Sequence, residues 1–405
     1  MKIKKEILYF IIALTSLTIW DILYKYKLLA GNIWSALIFA SICIWLNFTY
    51  KLINDFLIEN NYFKIIFFLL FIYNLVIIAR GLPHNYNDAK TIMQSGFIFW
   101  AFIIPIFVFF EKKTDTLVQL FKIMYYLGVV FLIIAISYPN LIISRSTAET
   151  FIHPLAFGSG FLLMNTKYLS KKKSLISFLV CTLSLLSFIY LARRNAIFTF
   201  SGFLVASIFL NIKNMSFGKF IKIFPIIAGI IILAITSIDK IPSSFSGRLL
   251  ERGTEDTRSG IFEYFKIGMQ DDWIFGKGMN GIYYCPFGDT ALDDGTVFSA
   301  SEYRALIETG YLQLILNGGI TEVVLFIMLL LPAAYLGIFK SSNSLSRSCG
   351  IIILLWLIDM FIYGLPTLSL QYIFVWICVG ICYKKSFREI PDDEIYETFQ
   401  KIGLS

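Results

Sequence analysis

The chain has 405 residues, of which 57% are hydrophobic, 17% aromatic and only 15% charged, with a mean hydropathy of +0.73. Soluble domains are nearer half apolar and a quarter charged, so the composition excludes an ordinary soluble fold and points to an integral membrane protein. The formal charge of +8 does not signal nucleic-acid binding, because much of it is lysine beside the ends of apolar runs, where it sets membrane topology.

Apolar runs near the length needed to cross about 30 Å of hydrocarbon recur along almost the whole chain. The first follows a basic start, "MKIKK", but no small-x-small cleavage site comes after it. Asp21, Tyr24, Lys25 and Lys27 come next instead, so the run reads as a retained span and not as a cleaved leader. The predicted spans are Ile7–Tyr24, Ile33–Ile53, Phe63–Arg80, Ile92–Phe110, Leu117–Tyr138, Phe151–Tyr168, Leu175–Leu191, Asn195–Asn211, Phe220–Ile238, Ile320–Phe339, Cys349–Gly364 and Leu368–Tyr383. The expected fold is therefore an all-α polytopic membrane protein of about 12 transmembrane helices, with one long extracytoplasmic loop containing short amphipathic helices. Residues 1–238 hold the first nine helices and 239–304 the loop. Residues 305–383 hold a re-entering helix and the last three spans, and 384–405 an amphipathic cytoplasmic tail.

Charge sets the orientation. Lys2, Lys4, Lys5, Lys112, Lys113, Lys171 to Lys173, Lys213, Lys219, Lys340, Lys384 and Lys385 fall on one side, which is cytoplasmic by the positive-inside rule and holds both termini. Arginine is distributed differently. Arg80, Arg145, Arg193, Arg194, Arg248, Arg252, Arg258 and Arg304 lie outside, and only Arg347 and Arg388 lie inside. The positive-inside rule treats both basic residues alike, so it does not explain this split. A guanidinium is planar, always charged and able to fork onto two oxygens of a phosphate or carboxylate. The outer face reads as built to hold an anion. Arg80 and Arg145 are each accounted for by snorkelling to headgroups. The Arg193–Arg194 turn works against the orientation bias, and charges beside the membrane are functional by default, which favours anion binding there.

Within the loop, "DTRSGIFEYFKIGMQDDWIFGKGMNGIYY" reads as a helix and then a glycine-rich turn. Asp256 or Thr257 caps the start, Ile261, Phe262, Phe265 and Met269 share a face, and Asp271–Asp272 end the run. Arg258 falls in the first turn, where free backbone N–H groups also favour an anion; its alternative role is a surface pair with Glu255 or Asp256. Downstream, Arg304 and Glu308 are spaced to bridge each other on a helix, and Gly318–Gly319 breaks or bends the entry into the next span. Tyr264, Trp273, Tyr283, Tyr284 and Tyr303 are able to stack on sugar faces or to serve as packing and interface anchors. There are two histidines and no CxxC, and the acidic pairs Asp271–Asp272 and Asp293–Asp294 lack the spacing of a metal-binding cluster, so no metal or cofactor is expected.

This arrangement resembles the O-antigen ligase and O-antigen polymerase family of bacterial membrane glycosyltransferases. "RSGIF" with Arg258, "DDWIFGKGMNG" with Gly276 and Gly278, "ETGYLQLILNGGI" and the Arg193–Arg194 turn stand where that family has its loop and basic-turn motifs. The glycine turn lacks the family's proline, and Glu308 replaces its histidine. The resemblance implies a polymerase of O-antigen or capsule repeat units at the outer face of the bacterial cytoplasmic membrane. Its donor and acceptor would be polyprenyl-diphosphate-linked oligosaccharides, with membrane lipids and a chain-length regulator as partners. Arg193, Arg194 and Arg258 would clamp the diphosphate, Arg248, Arg252, Arg304 and Tyr303 would add anion or substrate contacts, and either Glu308 or a group elsewhere would act as base. The alternatives are a ligase delivering glycan to a lipid or protein, and a flippase or transporter. For the latter, Glu322 and Asp359 are the main mid-span charges, either of which is also readable as a satisfied packing residue.

Overall fold

The computed structural model describes residues 4–25, 31–56, 58–82, 98–144, 148–191, 193–211, 257–286, 303–307, 309–362, 364–365 and 368–405. The predicted span Phe220–Ile238, the first part of Ile92–Phe110, and Arg145, Arg248, Arg252, Asp293–Asp294 and Glu308 lie outside these residues.

The described chain is mainly helical, with one two-stranded ribbon. In order it forms α1 (Lys5–Lys25), α2 (Gly31–Leu52), α3 (Asn61–Ala79), α4 (Phe99–Ile103) running into a 3-10 turn over Ile104–Phe109, α5 (Thr114–Ser137), α6 (Pro139–Ile143), α7 (Ala148–Met164), α8 (Lys171–Tyr190) and α9 (Arg194–Asn211). The loop contributes α10 (Thr257–Met269), β1 (Tyr283–Tyr284) and β2 (Tyr303–Arg304). The chain then continues through α11 (Gly310–Phe339), α12 (Ser344–Asp359), α13 (Leu370–Tyr383), α14 (Lys385–Arg388) and α15 (Asp392–Ile402).

Five of the helices are long and apolar enough to cross a membrane: α2 over Ile33–Leu52, α3, α5, α8 and α11. In α3, with mean hydropathy 2.3, Phe63, Ile66, Phe67, Leu70 and Ile77 are buried against the bundle, while Ile65, Phe68, Leu69, Ile72, Leu75 and Val76 are exposed on the other face. A helix apolar on both faces has its outer face matched to lipid and not to water.

The two ends of the bundle differ in chemistry. At one end lysines meet carboxylates: Lys4 and Lys113 pair with Glu111 at 3.0 and 2.9 Å, and Lys384 and the buried Lys112 pair with Asp55 at 2.5 and 3.6 Å. Burial pushes the Lys112 ammonium down to about 8, against the upward pull of Asp55. Burial raises the Glu111 carboxyl, but hydrogen bonds from Lys113 and Lys4 more than offset it and hold the group below its ordinary value.

Residues 384–405, expected as an amphipathic tail, fold onto this basic end. Ile395, Phe399 and Ile402 of α15 are buried, with the Phe399 ring 5.1 Å from Tyr168 and 6.2 Å from Phe121. Asn343 caps α12 by accepting from Ser346 N, and its amide donates to the carbonyls of Phe387, Arg388 and Ile390. Asp392 accepts from Lys167, Tyr168 and the Ser344 N–H. Burial raises the Asp392 carboxyl, and the Lys167 and Tyr168 hydrogen bonds outweigh it, leaving the group below its usual range.

Candidate functional site at the loop end

At the opposite end the loop is built into the bundle. Helix α11 is broken at Gly319, whose backbone (φ 69°, ψ −173°) is not helical. The break falls at the predicted Gly318–Gly319 pair, although the helix starts at Gly310 and not at Ala305. Breaking a membrane helix frees N–H and C=O groups that need new partners. The glycine turn supplies them. Lys277 N donates to Leu316 O at 2.7 Å and Gly278 N to Asn317 O at 2.8 Å, while Ile320 N donates to Trp273 O at 2.8 Å and Thr321 N to Ile274 O at 3.2 Å. The Tyr73 hydroxyl takes the Gly318 carbonyl at 2.7 Å. Gly276 and Gly278 have φ of +63° and +83°, and a Cβ on Gly276 would come within 2.5 Å of the Asn317 and Gly319 backbone. Only glycine allows this approach.

Arg80 is corrected. Its Nη1 and Nη2 donate to the carbonyls of Phe275 and Gly276 at 2.7 and 2.6 Å, so the guanidinium clamps the turn and does not snorkel to headgroups. The end of α3 adds Met279 N to Ile77 O at 3.0 Å and the Asn280 amide to Gly81 O at 2.8 Å.

A buried amide ladder extends this order toward the chain entering α11. Asn317 donates to the carbonyls of Gly278 and Met279 and accepts from Gln313 at 2.7 Å. Gln313 in turn accepts from Ile307 N at 2.7 Å and donates to Ala305 O at 3.1 Å. The ladder fixes residues 305–307, immediately before Glu308. Sequence reasoning missed it; the available signal was two amides four residues apart in an otherwise apolar entry to a span.

Arg304 is not on a helix. It lies in β2, paired antiparallel with β1 in the register Tyr283↔Arg304 and Tyr284↔Tyr303, so the expected helical spacing to Glu308 does not exist. Period two divides the tyrosines between faces. Tyr283 is buried and its ring packs 5.6 Å from Phe265, with Trp273 on the same phenylalanine at 5.8 Å; both belong to a small loop core with Met269, Cys285, Ile307 and Leu316. Tyr264, Tyr284 and Tyr303 form a row with ring centroids 6.0 and 5.8 Å apart, in which Tyr284 and Tyr303 are exposed. Phe262, expected on the apolar face of α10 with Phe265 and Met269, is also exposed. Arg258 lies in the first turn of α10.

The Arg193–Arg194 turn stands at this same end. Helix α8 begins at the basic end, where Lys173 donates to Gly403 O at 2.9 Å, and its 20 residues carry the chain about 30 Å away. Arg193 is half-buried, with its N–H on Phe188 O at 3.0 Å, and Arg194 is exposed at the start of α9. One turn into α9, Thr199 lines a cleft with Asp359 at the end of α12. The next residue, Met360, accepts from Gly310 N at 2.9 Å, which ties this corner to the start of α11. Glu322 is buried near Tyr372. Neither acid is a satisfied packing residue: among the described residues, Glu322 Oε2 and Asp359 Oδ1 have no hydrogen-bond partner.

No family model, no curated protein and no solved structure matches the chain.

Proposed function

We propose that the chain is a twelve-span membrane glycosyltransferase that polymerises lipid-linked saccharide repeat units at the outer face of the bacterial cytoplasmic membrane, with the basic end cytoplasmic. The observation that carries this reading is the joining of a glycine turn to a broken span, at the same end of the bundle as an arginine pair and an exposed tyrosine row. A rigid loop with stacking faces suits a saccharide, and fixed guanidiniums suit the charge that grows on a departing diphosphate in a low-dielectric site.

In the proposed reaction the acceptor sugar hydroxyl attacks the anomeric carbon of the donor. The carbon–oxygen bond to the diphosphate breaks, and its electron pair leaves on the diphosphate oxygen, held by Arg193, Arg194 and Arg258. The hydroxyl proton passes to the carboxylate of Glu308. Arg304 and Tyr303, on the edge of the ribbon, contact the saccharide, and Arg248 and Arg252 add positive charge. The fixed cations of this scheme are side chains, so no resident metal is part of it.

The test is purified protein with a polyprenyl-diphosphate-linked repeat unit, in EDTA, with products separated on a gel. A ladder that is lost in Arg193→Lys, Arg194→Lys and Glu308→Gln supports the polymerase with its bidentate clamp. Full retention by the lysine variants sinks the clamp. A single transfer to lipid or protein would indicate a ligase. The unpartnered acids Glu322 and Asp359 favour a second reading, a transporter of a lipid-linked saccharide; it predicts no ladder and movement of labelled substrate across vesicles.

A further inference from the structure

Asp359 is only 5% exposed and lines a narrow cleft between α7, α9, α12 and α13. The side chains lining it include Thr199, Gln371, Phe157, Phe203 and Trp356, and among the described residues no lysine, arginine, histidine or second carboxylate lines the cleft. Thr199 donates its hydroxyl hydrogen to Asn195 O at 3.1 Å, which leaves the oxygen lone pairs as acceptors. Gln371 opposes them from the first turn of α13 and brings an amide oxygen. Glu322 is not among the residues lining the cleft; it interacts with Tyr372, whose ring lies 5.3 Å from Trp356.

An isolated ionised carboxylate in such a place is too costly to persist, so it is neutralised by whatever positive species reaches it. Among the described residues, no side-chain cation lines the cleft. The space admits about one water-sized group, and a single carboxylate carries one charge. A divalent ion asks for more oxygen ligands, usually with further carboxylates or several retained waters.

We propose that the Asp359 cleft is a site for one monovalent cation, either a proton on the carboxyl or an alkali ion held among the oxygens of Asp359, Thr199 and Gln371. This site is independent of the proposed polymerase activity. It makes the stability of the loop end depend on the cation composition of the medium.

The experiment is thermal unfolding of the purified full chain in detergent, at an acidic and an alkaline pH, in choline chloride and in sodium chloride of equal ionic strength. A ligand that binds only the folded state raises Tm with concentration. Compared with Asp359→Asn, wild type is expected to be less stable at alkaline pH in choline and to regain that difference on acidification. A saturable gain from sodium at alkaline pH identifies an alkali ion; acid without sodium response identifies a proton. Asp359→Asn loses the sodium response and the matching part of the acid response, and Thr199→Val raises the sodium needed for half the effect. An Asp359→Asn variant that follows wild type in every medium overturns the proposal. Should that variant fail to fold, wild type treated with a hydrophobic carbodiimide decides the matter by mass spectrometry. Modification at Asp359 that is favoured by acid, and suppressed by sodium in the alkali-ion case, supports the site; no modification at any pH overturns it. No arm reads polymer synthesis, so failure here leaves the polymerase reading standing, and loss of the ladder leaves this one standing.

Discussion

Replacing Gly319 by alanine tests whether the loop and α11 are one hydrogen-bonded unit. The backbone there, at φ 69° and ψ −173°, lies in a region essentially restricted to glycine, and occupying it with a side chain costs about 1–3 kcal/mol. A Cβ would also stand 2.2 Å from Ile274 O and 2.5 Å from Phe275 N. Both neighbours are backbone, so relief requires the turn to lift. Lifting breaks the bonds from Ile320 N to Trp273 O and from Thr321 N to Ile274 O, and each buried group left unpaired costs about 1–3 kcal/mol. The expected loss is on the order of 5 kcal/mol. Gly403→Ala is the control: its φ is also positive, at +77°, but a Cβ meets nothing closer than Lys122 Nζ at 3.8 Å, leaving only about 1–2 kcal/mol of backbone strain. Thermal unfolding and limited proteolysis of residues 257–286, both in detergent, provide the readout. Gly319→Ala should expose the loop to protease while Gly403→Ala does not. A Gly319→Ala protein as stable and as protected as the control would refute the interlock.

Arg80→Ala should speed amide exchange at Lys277 to Gly281 several-fold, with a loss of about 2 kcal/mol, and Arg80→Lys should recover only part of the protection, because an ammonium cannot hold both carbonyls in a fork. Asp392→Ala should undock α15 and cost about 2 kcal/mol, seen as early proteolysis after residue 384. Because the Asp392 carboxyl is held below its ordinary value, its stabilisation is full above about pH 4 and lost as pH falls through the lowered value, so acid should reproduce the variant. Lys112 acts in the same direction at alkaline pH. Its ammonium is pushed down to about 8, so between there and about 10.4 the unfolded chain binds more protons and stability rises with pH, by on the order of 3 kcal/mol; Lys112→Met should flatten that alkaline rise in thermal unfolding curves.

Hydropathy made much of the bundle legible, because an 18-residue apolar run has few alternatives to a membrane helix. The glycine pair in α11 and the helix at Thr257–Met269 were legible for local reasons, backbone freedom in one and spacing of apolar residues in the other. What the sequence concealed depends on partners distant in the chain. Arg80 resembles any arginine at a helix end until Phe275 and Gly276 are brought to it from 195 and 196 residues away. Arg304 and Glu308 have helical spacing, yet pairing with Tyr283–Tyr284 draws Tyr303–Arg304 into a strand. The same pairing separates Tyr283 from Tyr284 and Tyr303, a distinction that composition does not make. The final segment reads as amphipathic from its own pattern, but the surface that receives its apolar face of Ile395, Phe399 and Ile402 comes from α5 and residues 166–168, far away in the chain.

The broken span also bears on the order in which the protein is made. If α11 enters lipid as an isolated segment, the N–H groups of Ile320 and Thr321 and the carbonyls of Leu316 and Asn317 arrive without partners, and hydrocarbon offers none. Their partners, residues 273–278, precede α11 in the chain, and the helix end carrying Arg80 precedes both. Synthesis therefore delivers the receptor, then the plug, then the helix that needs plugging. Loop docking becomes a step of membrane insertion.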